Sequence, residues 1–181
     1  MCIRDSYNPE PAQPGWKHRS RISETLGHVH RNPQLDLITC FLYSIHYSAS
    51  IERLKACIAS AHGALAVGGV FCFNAVDKQR IDNASFVAHS VRHAEGQFRF
   101  SSGWYYRGEG EQQALRLRIE RTLTEQTEVW HDEHPMVAVN FTELQSLLAP
   151  YFEVQVLEHD YQRLAPWDGS SGNALFACTK R

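Results

Sequence analysis

Nine consecutive residues constrain this chain more than any others. Leu35-Asp36-Leu37-Ile38-Thr39-Cys40-Phe41-Leu42-Tyr43 is an almost unbroken apolar run, rich in β-branched and aromatic side chains. A segment apolar on both sides suits a strand with both faces covered, as inside a parallel sheet. An amphipathic stretch follows. Ser50 is placed to cap a helix whose stripe is Ile51, Leu54, Ile58, Ala61 and Leu65. Gly68-Gly69 is expected to stop it, because glycine takes the left-handed C-terminal conformation without a Cβ clash. Val70-Phe71-Cys72-Phe73 then reads as a second buried strand. Strand, crossover helix and strand make a βαβ unit, whose two strands run parallel.

The middle of the chain changes period. Residues 77–95 are polar and mixed, weakly helical around Phe86-Val87-Ala88. Beyond them Phe98 and Phe100, then Leu115, Leu117 and Ile119, alternate with polar neighbours, and Glu128-Val129-Trp130 follows a short polar break. Such alternation describes antiparallel strands with one polar face, read as a small lid inserted at about 97–139. The end returns to the first pattern. Asn140 and Glu143 make a capping-box start for a helix bearing Leu144, Leu147 and Leu148, which Pro150 ends. Phe152, Val154 and Val156 form one strand and Ala174–Cys178 the last, with turn formers between them. At the other extreme, three prolines and a glycine crowd Asn8–Gly15, so residues 1–20 are expected to be a disordered or non-native leader to a body over 21–181.

Composition narrows the classes. A chain of 181 residues predicts one domain. Its 18 Lys+Arg against 20 Asp+Glu, a net charge of -2, provide no general attraction to nucleic acid. No apolar run approaches the ~20 residues that cross a bilayer, and Met1–Ser6 lacks the apolar stretch of a secretory signal, so a cytoplasmic protein without membrane partners is expected. The five cysteines, Cys2, Cys40, Cys57, Cys72 and Cys178, form no C-x-x-C pair and are read as core residues rather than a disulfide framework or zinc site.

The order of elements carries a resemblance. Leu35–Phe41, the following helix and Ala64-Leu65-Ala66-Val67-Gly68-Gly69-Val70-Phe71-Cys72-Phe73 resemble the second half of class I S-adenosylmethionine-dependent methyltransferases, and the closing helix, strand, loop and strand resemble that family's final antiparallel hairpin. The fold implied is α/β: a partial Rossmann-like sheet of parallel strands plus a C-terminal antiparallel hairpin, with the β lid inserted. The implied cofactor is S-adenosylmethionine, and the near-neutral charge with an aromatic lid favours a small-molecule acceptor. The family's glycine-rich G-x-G-x-G turn, needed for close backbone approach to the cofactor, has no counterpart here, since Gly15 and Gly27 are the only glycines before Gly63. The chain thus reads as the C-terminal portion of such an enzyme, inactive alone. Its first apolar strand would be a bare edge open to self-association. The rival classes are a non-catalytic interaction module that kept the sheet, and a fragment of a nicotinamide-dependent oxidoreductase.

Ligands in such sheets bind beyond the carboxyl ends of the strands. By resemblance Cys40, Phe41 and Leu42 would line the cofactor and Tyr47 close over it; the alternative makes Phe41 and Leu42 core. Asn74 ends the second strand as a substrate contact or a strand cap. In Ser102-Gly103-Trp104-Tyr105-Tyr106-Arg107-Gly108 the aromatics Trp104 and Tyr105 would wall the acceptor or anchor the lid. Trp130-His131-Asp132-Glu133-His134 is the densest titratable cluster. On a strand, Asp132 and His134 share one face and His131 and Glu133 the other. His134 or His131 is the candidate general base, with a structural histidine as the alternative, Trp130 is a candidate substrate contact, and no metal is expected. Asp160 and Tyr161 are further acceptor contacts, while Arg116, Arg118 and Arg121 read as one solvated strand face.

Overall fold

The computed structural model describes residues 34–181 except 125 and 161. The leader expected over 1–20, Cys2 and the acceptor contact expected at Tyr161 lie outside the described residues. Strand β1 (Leu35–Cys40) runs parallel to β2 (Leu65–Val76), with Ile38 opposite Phe71 and Cys40 opposite Phe73. Helix α1 (Ile51–Ala64) connects them, capped by the Ser50 hydroxyl, which accepts the Arg53 N–H at 3.2 Å. Leu54, Ile58 and Ala61 form its buried stripe.

The helix ends earlier than its glycines suggest. It stops at Ala64, and Leu65 is already extended. Gly68 and Gly69 lie inside β2, where Gly68 has φ 80° and a Cβ on Gly69 would come within 2.9 Å of the carbonyl oxygens of both Ala66 and Leu35. The pair serves the register slip between Leu35 and Leu37, a bulge rather than a helix cap. Strand β1 is also shorter than its apolar run, because Leu42 and Tyr43 turn left-handed at φ 54° and 58°.

Strands β7 (Phe152–Glu158) and β8 (Asn173–Lys180) complete a sheet of order β1-β2-β8-β7, in which β8 is antiparallel to both neighbours. Helix α2 (Phe141–Leu148) opens with both halves of its capping box: Asn140 Oδ1 accepts the Glu143 N–H at 2.8 Å, and the Glu143 carboxylate accepts the Asn140 N–H at 3.0 Å. One sheet face, with Phe71, Phe73, Phe152 and Phe176, packs with Leu54, Ile58, Leu144 and Leu148 in a single core. Phe73 stacks on Phe176 at 5.2 Å with the ring planes 1° apart. Full burial of each such side chain contributes about 1.5–3 kcal/mol. Cys40 and Cys178 are buried and Cys57 and Cys72 half-buried.

A second sheet is an antiparallel meander of β3 (Val87–His93), β4 (Gly96–Tyr106), β5 (Gln112–Leu123) and β6 (Gln126–Val137). Its first strand replaces the weak helix expected around Phe86-Val87-Ala88, and the lid sheet begins at Val87 rather than about 97. Every residue of β3 is exposed, so its place rests on backbone pairing with β4 and leaves no apolar alternation to detect. Gly103 permits the approach to β4: a Cβ there would meet Phe86 Cδ1 at 2.6 Å and the Ser85 carbonyl oxygen at 2.7 Å. The lid is buried at its root, at Gln113, Ala114 and Met136–Val139, and at Gly103 under Phe86. No helix among the described residues is long and apolar enough to cross a membrane.

Candidate functional site

The carboxyl ends of β1 and β2 lie side by side because the strands are parallel, and the chain between β1 and α1 folds over them. Two successive non-glycine residues in the left-handed region, Leu42 and Tyr43, bend it sharply. Such conformations persist only where the surroundings hold them. Here the holder is Asn74 at the end of β2, whose Oδ1 accepts the Tyr43 N–H at 3.1 Å. Asn74 is 1% exposed, and its Nδ2 lies 3.5 Å from His159 Nε2 just past β7. Tyr43 in turn meets Trp104 of the lid edge-on, ring centroids 5.1 Å apart, and His159 at 5.8 Å. Asn74 therefore does more than cap its strand: it sets the turn that presents Phe41, Leu42 and Tyr43.

The 3-10 turn Ser44–Ser48 carries His46 into the core at 0% exposure. Its Nε2 accepts the Val76 N–H at 3.0 Å, so Nδ1 bears the proton and donates to the Val137 carbonyl at 2.9 Å. The Gln113 amide lies 3.1 Å from that Nδ1. Burial pulls the His46 imidazole down to about 4, against the opposing effect of the Val137 bond. It is a neutral clamp between the ends of β2 and β6. Nothing in its sequence neighbourhood marks it, because its partners are backbone groups from distant strands.

From the lid, register places Trp104, Leu115 and His134 opposite one another across β4, β5 and β6, hence on one face. Trp104 meets Tyr43 and, at 6.0 Å, His46. His134 meets Tyr47: Nδ1 lies 2.6 Å from the Tyr47 hydroxyl, and Nε2 3.1 Å from Asp132 Oδ2. Partial burial and the Asp132 carboxylate both raise the Tyr47 phenol above its ordinary pKa. The structure thus brings together Tyr47, Asn74, Trp104 and His134 of the expected residues, and adds Tyr43, His46, Asp132 and His159.

The others fall elsewhere, for reasons of alternation and exposure. Tyr105 points to the opposite lid face from Trp104, under the Arg116 guanidinium, 3.4 Å from its ring centroid. His131, opposite Arg118, lies on that same far face, away from Tyr47 and His134. Trp130 shares the His134 face but sits four residues along β6, roughly 13 Å away at strand rise, opposite Ile119 and 48% exposed. Asp160 serves its own turn, accepting the Gln162 N–H at 2.9 Å and pairing with Arg163. Cys40 joins the core rather than a ligand surface. Phe41 and Leu42, 40% and 80% exposed, are not core; they stand at the end of β1. Arg121 pairs with Glu128 on the face opposite Arg116 and Arg118, so the three arginines are not one face. A cavity of about 400 Å³ lies on the far lid face, between Phe86, Ala88, Arg99, Ser101, Arg118 and Glu120, away from this constellation. Among the described residues no group of three or more His, Cys, Asp and Glu side chains is arranged to hold a metal ion.

No protein-family model and no curated protein matches the chain. Solved structures match it in shape. An S-adenosylmethionine-bound amino pentose methyltransferase from Micromonospora echinaspora matches at TM-score 0.66 and 15% identity, over 85% of this chain and 61% of that one. The sugar N-methyltransferase of a Streptoalloteichus species matches at 0.63 and 15%, over 85% and 59%. An S-adenosylmethionine-dependent methyltransferase from Clostridium acetobutylicum matches at 0.60 and 16%, over 86% and 62%. The chain spans about three fifths of the length of these proteins. It has the class I methyltransferase fold, with a mixed sheet and an inserted antiparallel lid.

Proposed function

We propose that this chain forms the acceptor side of an S-adenosylmethionine-dependent methyltransferase acting on a small molecule. The observation that carries the reading is the parallel β1–α1–β2 unit, whose carboxyl ends meet the lid through Tyr43, Trp104, Tyr47 and His134. Open α/β sheets take their ligands at such ends, and the structural neighbours named as methyltransferases support the same assignment. The residues fit the cofactor in kind. Phe41 and Leu42 offer apolar surface on a turn held by Asn74, suited to an adenosyl group. When bound, S-adenosylmethionine supplies a methyl group activated by its sulfonium: the acceptor's lone pair forms the new bond while the C–S pair stays on sulfur.

What the chain itself contributes is position. Tyr43 and Trp104 form an aromatic wall, and His134 stands beside it as the candidate base. A small acceptor accords with a net charge of -2, and a cytoplasmic setting belongs to the same reading. So does self-association through β1, which has β2 as its one strand neighbour among the described residues and leaves Leu35 and Leu37 exposed. The test is a titration of the isotope-labelled chain with millimolar S-adenosylmethionine, followed by amide chemical shifts. Saturable changes centred on residues 40–47 and 74–76 are expected. Shifts confined to other segments, or none, reject the assignment.

A further inference from the structure

Tyr47, His134 and Asp132 form a hydrogen-bonded chain from the body to the lid. Its polarity follows from the chemistry of its ends. A carboxylate only accepts, so the His134 proton sits on Nε2 and is donated to Asp132 at 3.1 Å. Nδ1 then presents a lone pair, and the Tyr47 hydroxyl donates into it at 2.6 Å. The phenol oxygen keeps its own lone pairs for a further partner. Tyr47 is 47% exposed, on the turn that leads directly from the end of β1.

We infer that Tyr47 is the residue that takes the acceptor's proton during methyl transfer, passing its own proton to His134, whose charge Asp132 holds. The inference rests on the methyltransferase reading and deepens it. The bonds balance: the acceptor's X–H bond breaks as a new Oη–H forms, and the original Oη–H breaks as Nδ1–H forms. The electron pair freed on X is the one that takes the methyl group. Phenolate is disfavoured at this site by partial burial and by the Asp132 charge, so Tyr47 works as a relay and not as a standing base. The substrate class follows. The acceptor's reacting atom carries a proton it must lose, as in a hydroxyl or an ammonium group; a tertiary amine or thioether gains nothing from this chain of residues. Tyr47 is thus the catalytic residue, and His134 and Asp132 position and discharge it.

The test reads proton location directly. Long-range ¹⁵N–¹H spectra of the full chain, labelled at histidine, should show His134 as the Nε2–H tautomer near neutral pH, identified by its loss in His134→Gln. His46 supplies an internal contrast, since its bonds require the opposite, Nδ1–H form. Tyr47→Phe should shift the His134 Nδ1 resonance and leave His46 unchanged, which also shows that the variant folds. An Nδ1–H tautomer at His134, or no response to Tyr47→Phe, overturns the relay whatever the cofactor titration shows. Failure of that titration with the expected tautomer overturns the methyltransferase reading instead, and with it the relay's role. In protein that transfers methyl to hydroxyl or amine probes, Tyr47→Phe and His134→Gln should each lose on the order of 10²-fold in rate. Their double variant should lose no more than either alone; additive losses would break the coupling.

Discussion

The two sheets of this molecule are stabilised by different means. The body sheet has a face of phenylalanines covered by two helices, and most of the fully buried large side chains belong to that sheet and those helices. The lid sheet is buried mainly at its root, and its outer reaches rest on backbone ladders and surface pairs such as Arg118–Glu120 and Arg121–Glu128. Apolar burial is worth far more than surface ion pairing. The body therefore supplies the stability, while the lid supplies shape and side chains to the seam between them.

The sharpest way to break this contrast is to remove the ring at the centre of the body. Phe176 is fully buried, stacked on Phe73 and met edge-on by Phe141 at 5.3 Å. Phe176→Ala should cost about 3–5 kcal/mol in denaturant unfolding, enough to unfold a marginal domain. A smaller effect is expected at the seam. His46→Gln leaves one of two buried backbone groups, the Val76 N–H or the Val137 carbonyl, without its partner, at about 1–3 kcal/mol.

The same residue predicts a pH dependence. In the unfolded chain the imidazole binds its proton near 6.5, in the folded chain only near about 4. As pH falls below 6.5 the unfolded state takes up a proton that the folded state refuses. Stability present at neutral pH is therefore lost between about 6.5 and about 4, by on the order of 3 kcal/mol. Unfolding series across that window should show the slope, and His46→Gln should flatten it. The smallest effect belongs to the lid surface. Arg118→Gln removes an ion pair whose side chains are 49% and 22% exposed, and the unfolding free energy should change by less than about 1 kcal/mol. A larger loss there would mean that the lid carries stability of its own.

The same division explains what could be read from the chain in advance. Burial writes itself into sequence, so the apolar run of β1, the stripe of α1 and the capping box at Asn140 and Glu143 were legible as elements and as an order. Strand β3 was not, because pairing without burial leaves no periodic trace. Alternation told that Asp132 and His134 share a face and that His131 does not, but not which face meets the body. The partnership of Tyr47 with His134 spans 87 positions, and that of His46 with Val137 spans 91. Contacts of that kind depend on how two sheets dock, which neither composition nor period records.

The His46 clamp has a consequence for how such a domain can change. Val76 and Val137, which one imidazole ties together, are the points where the chain leaves the body for the lid and returns, and the Lys78 N–H donates to the Val139 carbonyl at 3.0 Å just beyond them. Because exit and entry are fastened to each other, the body meets everything between them as a loop with adjoining ends, whatever its length. Lengthening such a loop adds little closure entropy. A change in the insertion's length therefore falls on the lid, while the fastened ends leave the sheet beneath as it is.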